Sequence, residues 1–111
     1  MHRMIILKLQ PNQDVTEALE AAVRDADMAG ARIRGAVGSL VEAVLERDGK
    51  LVKISGPGLE VAGLSGEIAA AGGSTLTGYV CRPDTRAEHG SFVRGMNAVG
   101  VTFEIVLEEC G

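Results

Sequence analysis

The sequence predicts an α+β fold: a single early amphipathic helix followed by a mostly antiparallel sheet of about seven short strands. Three observations carry this. The stretch from Asp14 to Met28 repeats apolar residues at helical spacing, and after Gly30 the period moves toward two, as it does in strands that face a core on one side. Fifteen glycines in 111 residues are about twice the usual ~7%. Glycine supplies the positive φ of tight turns and bulges and weakens helix interiors, so the excess favours strands over a bundle.

The elements follow in order. Residues 4 to 9 read as an apolar strand that ends at Pro11, which cannot donate to a ladder. Asp14 is the helix N-cap and Glu17 completes a capping box. Val15, Ala18, Leu19, Ala22, Val23 and Ala26 form the apolar face, Glu17, Glu20, Arg24, Asp25 and Asp27 occupy much of the other side, and Gly30 lies past the end. Val41 to Glu46 and Lys50 to Ile54 flank Asp48-Gly49, a dipeptide that accepts the positive φ of a type I′ hairpin turn. Further strands are expected at Ala31 to Ala36, Leu59 to Leu64, Glu67 to Ala70, Thr75 to Arg82, His89 to Arg94 and Val101 to Glu109. Their separators are Gly72-Gly73, Pro83-Asp84 and Gly95-Met96-Asn97. No linker, repeat or low-complexity segment interrupts them, so residues 1 to 111 read as one domain.

Composition narrows the function. Apolar residues make up 46% of the chain and aromatics 3%, so the core is built from Val, Leu, Ile and Ala. A chain of this length can bury roughly two thirds of its unfolded surface without disulfide or metal staples. The formal charge is −4 and the arginines are dispersed. Nucleic-acid affinity rests mainly on Lys and Arg neutralising phosphates, so direct DNA binding by the isolated chain is expected to be weak. Cys81 and Cys110 have neither metal-ligand spacing nor the density of a secreted disulfide scaffold, which reads as a reduced, cytoplasmic setting. The run Met4-Ile5-Ile6-Leu7 is cut by Lys8, too short for a secretion signal or a membrane span.

The stretch from Ser74 to Glu109 is the most informative. It holds Thr75 and Thr77, then Glu88-His89-Gly90-Ser91-Phe92, then Thr102-Phe103-Glu104 in an apolar strand. It resembles the last third of the PPC domain, the plants and prokaryotes conserved domain, whose pattern there is His-x-His, Gly-Gly-His-Leu and Thr-x-Glu. The resemblance runs over nearly the whole chain: Met4 to Gln10, the helix, Gly35 to Leu40, Gly56-Pro57-Gly58-Leu59-Glu60-Val61 and Leu64-Ser65-Gly66 are similar to successive family segments in the right order. Laid on without a gap, the three family histidines fall on Thr75, Thr77 and Ser91.

The resemblance implies a homotrimer labelled DNA-binding or transcription-associated, with a degenerate metal pocket. It also points to Gly56 to Val61 as a protein-partner segment, in which Leu59 replaces the family's usual Phe. In the family, three imidazoles with an open position make a zinc shell; hydroxyls are poor zinc ligands by comparison, so no zinc and no other cofactor is expected. His89 shares the strand face of Ser91, and Cys81 the parity of Thr75 and Thr77, so a replacement site on His89 and Cys81 is the metal alternative. An exposed His and a small core Cys is the plainer one. No nucleophile constellation or dinucleotide loop is present, and Glu60, Glu67, Glu88 and Glu104 read as mostly solvated carboxylates, so an enzyme is not the first reading. The rival is a small-molecule-binding protein or enzyme using a pocket near Thr75, Thr77, His89 and Ser91. For assembly, Val99, Val101, Phe103, Ile105 and Leu107 form one apolar strand face, and Leu59, Glu60, Val61, Phe92 and Phe103 are the candidate interface residues.

Overall fold

Six strands and one helix follow the chain in a computed structural model that describes residues 3–110. They are β1 (Met4–Leu9), α1 (Val15–Asp25), β2 (Gly30–Arg47), β3 (Lys50–Ala69), β4 (Thr75–Cys81), β5 (Glu88–Phe92) and β6 (Val99–Cys110). All pairings are antiparallel, in the order β1-β6-β2-β3-β4-β5, and β5 returns to β2 through Leu45↔Phe92 and Glu46↔Ser91. The far half of β2 with β3, β4 and β5 therefore closes on itself, while β6 and β1 extend the near half.

The α+β class stands, with six strands in place of about seven short ones, because pieces expected to be separate are continuous. β2 joins 31–36 to 41–46, and β3 joins 50–54, 59–64 and 67–70. At about 3.3 Å per residue a straight 18-residue strand would span roughly 59 Å, yet the longest dimension of the molecule is 41 Å. The ribbon must bend, and it does so where the register slips: Ile33/Gly35, Gly38/Leu40, Leu40/Glu42 and Val61/Gly63. Gly35, Gly38 and Gly63 stand at these slips, as bulges and close approaches inside long strands. Gly38 shows why: a Cβ there would lie 2.6 Å from the ring of Phe103, which is fully buried. The Asp48-Gly49 turn is as expected, with φ of 54° and 77°.

The helix begins at the expected cap, where an Asp14 carboxylate oxygen accepts from the Glu17 N–H at 3.1 Å. Its end differs. Asp27, at φ 56°, takes the left-handed position, the Met28 N–H donates to the Val23 carbonyl and the Asp27 N–H to that of Arg24, both at 3.0 Å. This is a Schellman motif closed by an aspartate three residues before Gly30. Val15, Leu19 and Val23 enter the core with Leu9, Leu40, Leu45, Phe103, Ile105 and Leu107.

Among the described residues three polar ones, Thr16, Glu20 and Asn97, are buried with them. Glu20, expected on the solvent side, is 1% exposed. It accepts from the Ser74 hydroxyl at 2.7 Å and from Arg94 Nε at 3.0 Å. Burial pushes its carboxyl upward, but the Ser74 and Arg94 hydrogen bonds and the Arg94 charge outweigh it and hold the pKa below the ordinary glutamate value. Asn97 donates to the Val93 and Val44 carbonyls at 2.9 and 3.1 Å and accepts from the Val44 N–H at 3.1 Å. Its own N–H goes to Asp14 Oδ1 at 2.9 Å. One side chain thus ties β2 to the β5–β6 turn, and its backbone ties that turn to the helix cap.

Candidate functional site

Strand β4 alternates cleanly. Leu76, Gly78 and Val80 are buried, while Thr75, Thr77 and Tyr79 lie on the outer face. Register then decides what meets what. Thr77 pairs with Ser65 on one side and Ser91 on the other, so three hydroxyl side chains form a row across β3, β4 and β5, with Ser65 Oγ and Thr77 Oγ1 3.2 Å apart. In the next row Tyr79 pairs with His89, their rings 4.5 Å apart and tilted by 32°. The two rows border a shallow depression of about 240 Å³ lined by Leu64, Ser65, Thr77, Tyr79 and His89.

The structure therefore brings Thr77, Ser91 and His89 onto one face of two adjacent strands. Thr75 lies one step further along, opposite Glu67 and exposed. Cys81 lines a different depression, with Val52, Lys53, Ile54, Val80 and Arg82, so it does not share the His89 site. The donor set on this face does not fit zinc: its nearest groups are neutral hydroxyls and one imidazole, the imidazole stacked on a phenol. Among the described residues no group of three or more His, Cys, Asp or Glu side chains is placed to hold a metal ion.

The interface candidates need correction. Leu59, Val61, Phe92 and Phe103 are buried in the domain's own core, and of that set Glu60 alone is exposed. Their strand parity, which made them look like one apolar surface, is the parity of the interior. Val101 leaves the face it was expected to share with Phe103 and Ile105. It is 78% exposed because the β2–β6 register slips beside it, and its N–H bonds the Ser39 hydroxyl at 3.0 Å. The apolar side chains that reach solvent lie mainly on the outside of β1, β6 and β2, where Ile6 is 79% and Val37 65% exposed.

Four of the eleven cations are paired with carboxylates among the described residues. Arg3, Arg34, Arg47 and Arg94 pair with Glu109, Glu108, Glu88 and Glu17 or Glu20. Of the cations without a carboxylate partner among the described residues, three gather in the depression beside Cys81, whose lining includes Lys53, Arg82 and Arg86. Sequence reading missed it, because these residues are 29 or more positions apart from Lys53 until β3 and β4 pair.

A bent β2–β3 ribbon that closes on itself through β5, with one capped helix packed against it and a polar face on β4 and β5, defines a PPC-type α+β domain. The model of the Plants and Prokaryotes Conserved domain matches residues 1–111, and the chain belongs to that family. Among solved structures, a hypothetical protein from Salmonella enterica is 29% identical, with a TM-score of 0.88 over 98% of this chain and 78% of its own. A "putative DNA binding protein" from Bacteroides thetaiotaomicron is 16% identical, with a TM-score of 0.80 over 98% and 82%. A metal-containing protein from Archaeoglobus fulgidus is 17% identical, with a TM-score of 0.77 over 96% and 79%. No curated protein matches the chain. Among the described residues, no helix is long and apolar enough to cross a membrane.

Proposed function

We propose that this chain is a DNA-associated binding and assembly module that works as a homotrimer and carries no zinc at Thr75, Thr77 and Ser91. The observation that carries the DNA reading is family membership over the whole chain, together with a fold neighbour described as a "putative DNA binding protein". Direct contact by one chain is weak, since the net charge is −4 and four arginines are already paired to carboxylates. DNA is then reached through a partner, with the exposed Gly56 to Gly58 bend and Glu60 as its candidate contact, or through a surface made by assembly. We read the compartment as the cytoplasm, in keeping with two free cysteines.

The assembly surface is reassigned to the outer face of β1, β6 and β2, where Ile6, Val37 and Val101 reach solvent. A charge in an apolar interface is costly to desolvate, so Val37→Glu should turn a trimer into a folded monomer by light scattering. A wild type with the mass of one chain would refute the trimer. For DNA, fluorescence anisotropy at physiological salt should give a Kd no tighter than about 10⁻⁶ M. Nanomolar, sequence-selective binding would make DNA a direct ligand and overturn the indirect reading. The second reading, a small-molecule site, is favoured by one observation, the Tyr79–His89 stack walling the hydroxyl row. It predicts that Tyr79→Ala abolishes ligand binding without changing the oligomer.

A further inference from the structure

We propose that the depression between β3, β4 and the β4–β5 turn binds a small, multiply charged anion of the phosphate or pyrophosphate class. Three of the chain's eleven lysines and arginines, Lys53, Arg82 and Arg86, line this one concavity. In an acidic protein that is a local reversal of sign. The side chains of Lys53 and Arg86 make no hydrogen bond or ion pair among the described residues. Arg82 is held by its Nε, which donates to the Ser55 carbonyl at 2.9 Å, leaving its terminal nitrogens for a ligand.

The one carboxylate in the lining, Glu88, is engaged by Arg47 at 3.4 Å. The cations are thus not neutralised from within the site. The turn that carries Arg82 is closed twice: the Thr85 N–H donates to the Arg82 carbonyl at 3.2 Å, and the Arg82 N–H to the Thr85 hydroxyl at 3.3 Å. Buried Ile54 and Val80 lie in the lining, and a low-dielectric wall beside clustered charge focuses the field. The volume, about 270 Å³, is below the ~300–1,000 Å³ of ordinary small-molecule sites. That selects one or two phosphate groups over a whole nucleotide. Arginine's fork suits phosphate oxygens, and lysine adds a point charge.

The test is a titration with sodium pyrophosphate followed through backbone amide resonances. Saturable one-to-one shifts centred on Arg82 and Thr85 are expected. A double variant, Lys53→Gln with Arg86→Gln, should lose affinity by about ten-fold or more. Lys8→Gln with Arg32→Gln, which removes the same charge elsewhere, should change it by less than about two-fold. If the first variant melts early, the charge-retaining Lys53→Arg with Arg86→Lys must still bind. A short DNA duplex as competitor separates the sources: displacement through the same residues assigns the site to nucleic-acid phosphates, and no displacement assigns it to a free phosphorylated compound. Failure to saturate, or equal loss in both charge-removing variants, overturns the proposal.

Discussion

The molecule builds two polar clusters from similar residues and treats them in opposite ways. Glu20 and Asn97 are buried, and with half-buried Ser74 and the more exposed Arg94 they are partnered across α1, β2 and the turns that precede β4 and β6. On the outer face of β3, β4 and β5, Ser65, Thr77 and Ser91 form a row whose side chains make no tie beyond those strands among the described residues. The cost of leaving a buried polar group unpaired is what separates them. The first cluster specifies the fold. The second lies on the surface, where a hydroxyl can be satisfied by water and holds nothing else in place.

Breaking the buried cluster at Asn97 should give the largest effect. Asn97→Ala leaves the Val44 N–H without its partner, while the Val44 and Val93 carbonyls keep the N–H donors of Val93 and Met96. Counting one orphaned donor and two lost bonds, the cost is about 3 kcal/mol, read by urea denaturation. The melting temperature should fall by more than about 10 °C. A loss below about 1 kcal/mol would remove Asn97 from the frame.

Glu20 sharpens the comparison through pH. Its folded pKa lies below the unfolded value of about 4.5, so its stabilisation is present above that pH and is lost as pH falls through the folded value. Glu20→Gln should cost about 1–3 kcal/mol at neutral pH and flatten the fall in stability on acidification below about 4.5. An unchanged acid slope would mean that other carboxylates carry it.

The exposed row should show the smallest stability change and the clearest gain. Thr77 and Ser91 are directly opposed and Thr75 is two residues along the same face, which are distances imidazoles can span. Thr75→His, Thr77→His and Ser91→His together should change stability by less than about 1 kcal/mol and acquire one zinc per chain by elemental analysis, against none in the wild type. Zinc in the wild type would refute the reading of this face. A folded triple variant without zinc would show that the family register is wrong here.

Much of this was legible in local pattern. The cap at Asp14, the apolar face of the helix and the turn at Asp48-Gly49 depend on neighbours within a few residues, and the parity of Thr75 and Thr77 depends only on β4 being regular. The burial of Glu20 was not legible, because its partner Arg94 is 74 residues away. The exposure of Val101 was not legible either, since a bulge in β2 alters the side chain without changing its own sequence pattern. The need for glycine at position 38 was not legible, because the ring that excludes a side chain there, that of Phe103, comes from β6.

By itself the sequence determined the class, the single helix and the central hairpin turn, because these rest on short-range periodicity, capping and turn chemistry that a chain carries wherever it goes, and the order of its short motifs carried the resemblance to the family. Tertiary structure decided which apolar face became core and which stayed at the surface, how β5 closes on β2, which carboxylate is buried, and that Lys53 meets Arg82 and Arg86. Those outcomes depend on long-range register, and a slip of one residue exchanges the inside of a strand for its outside.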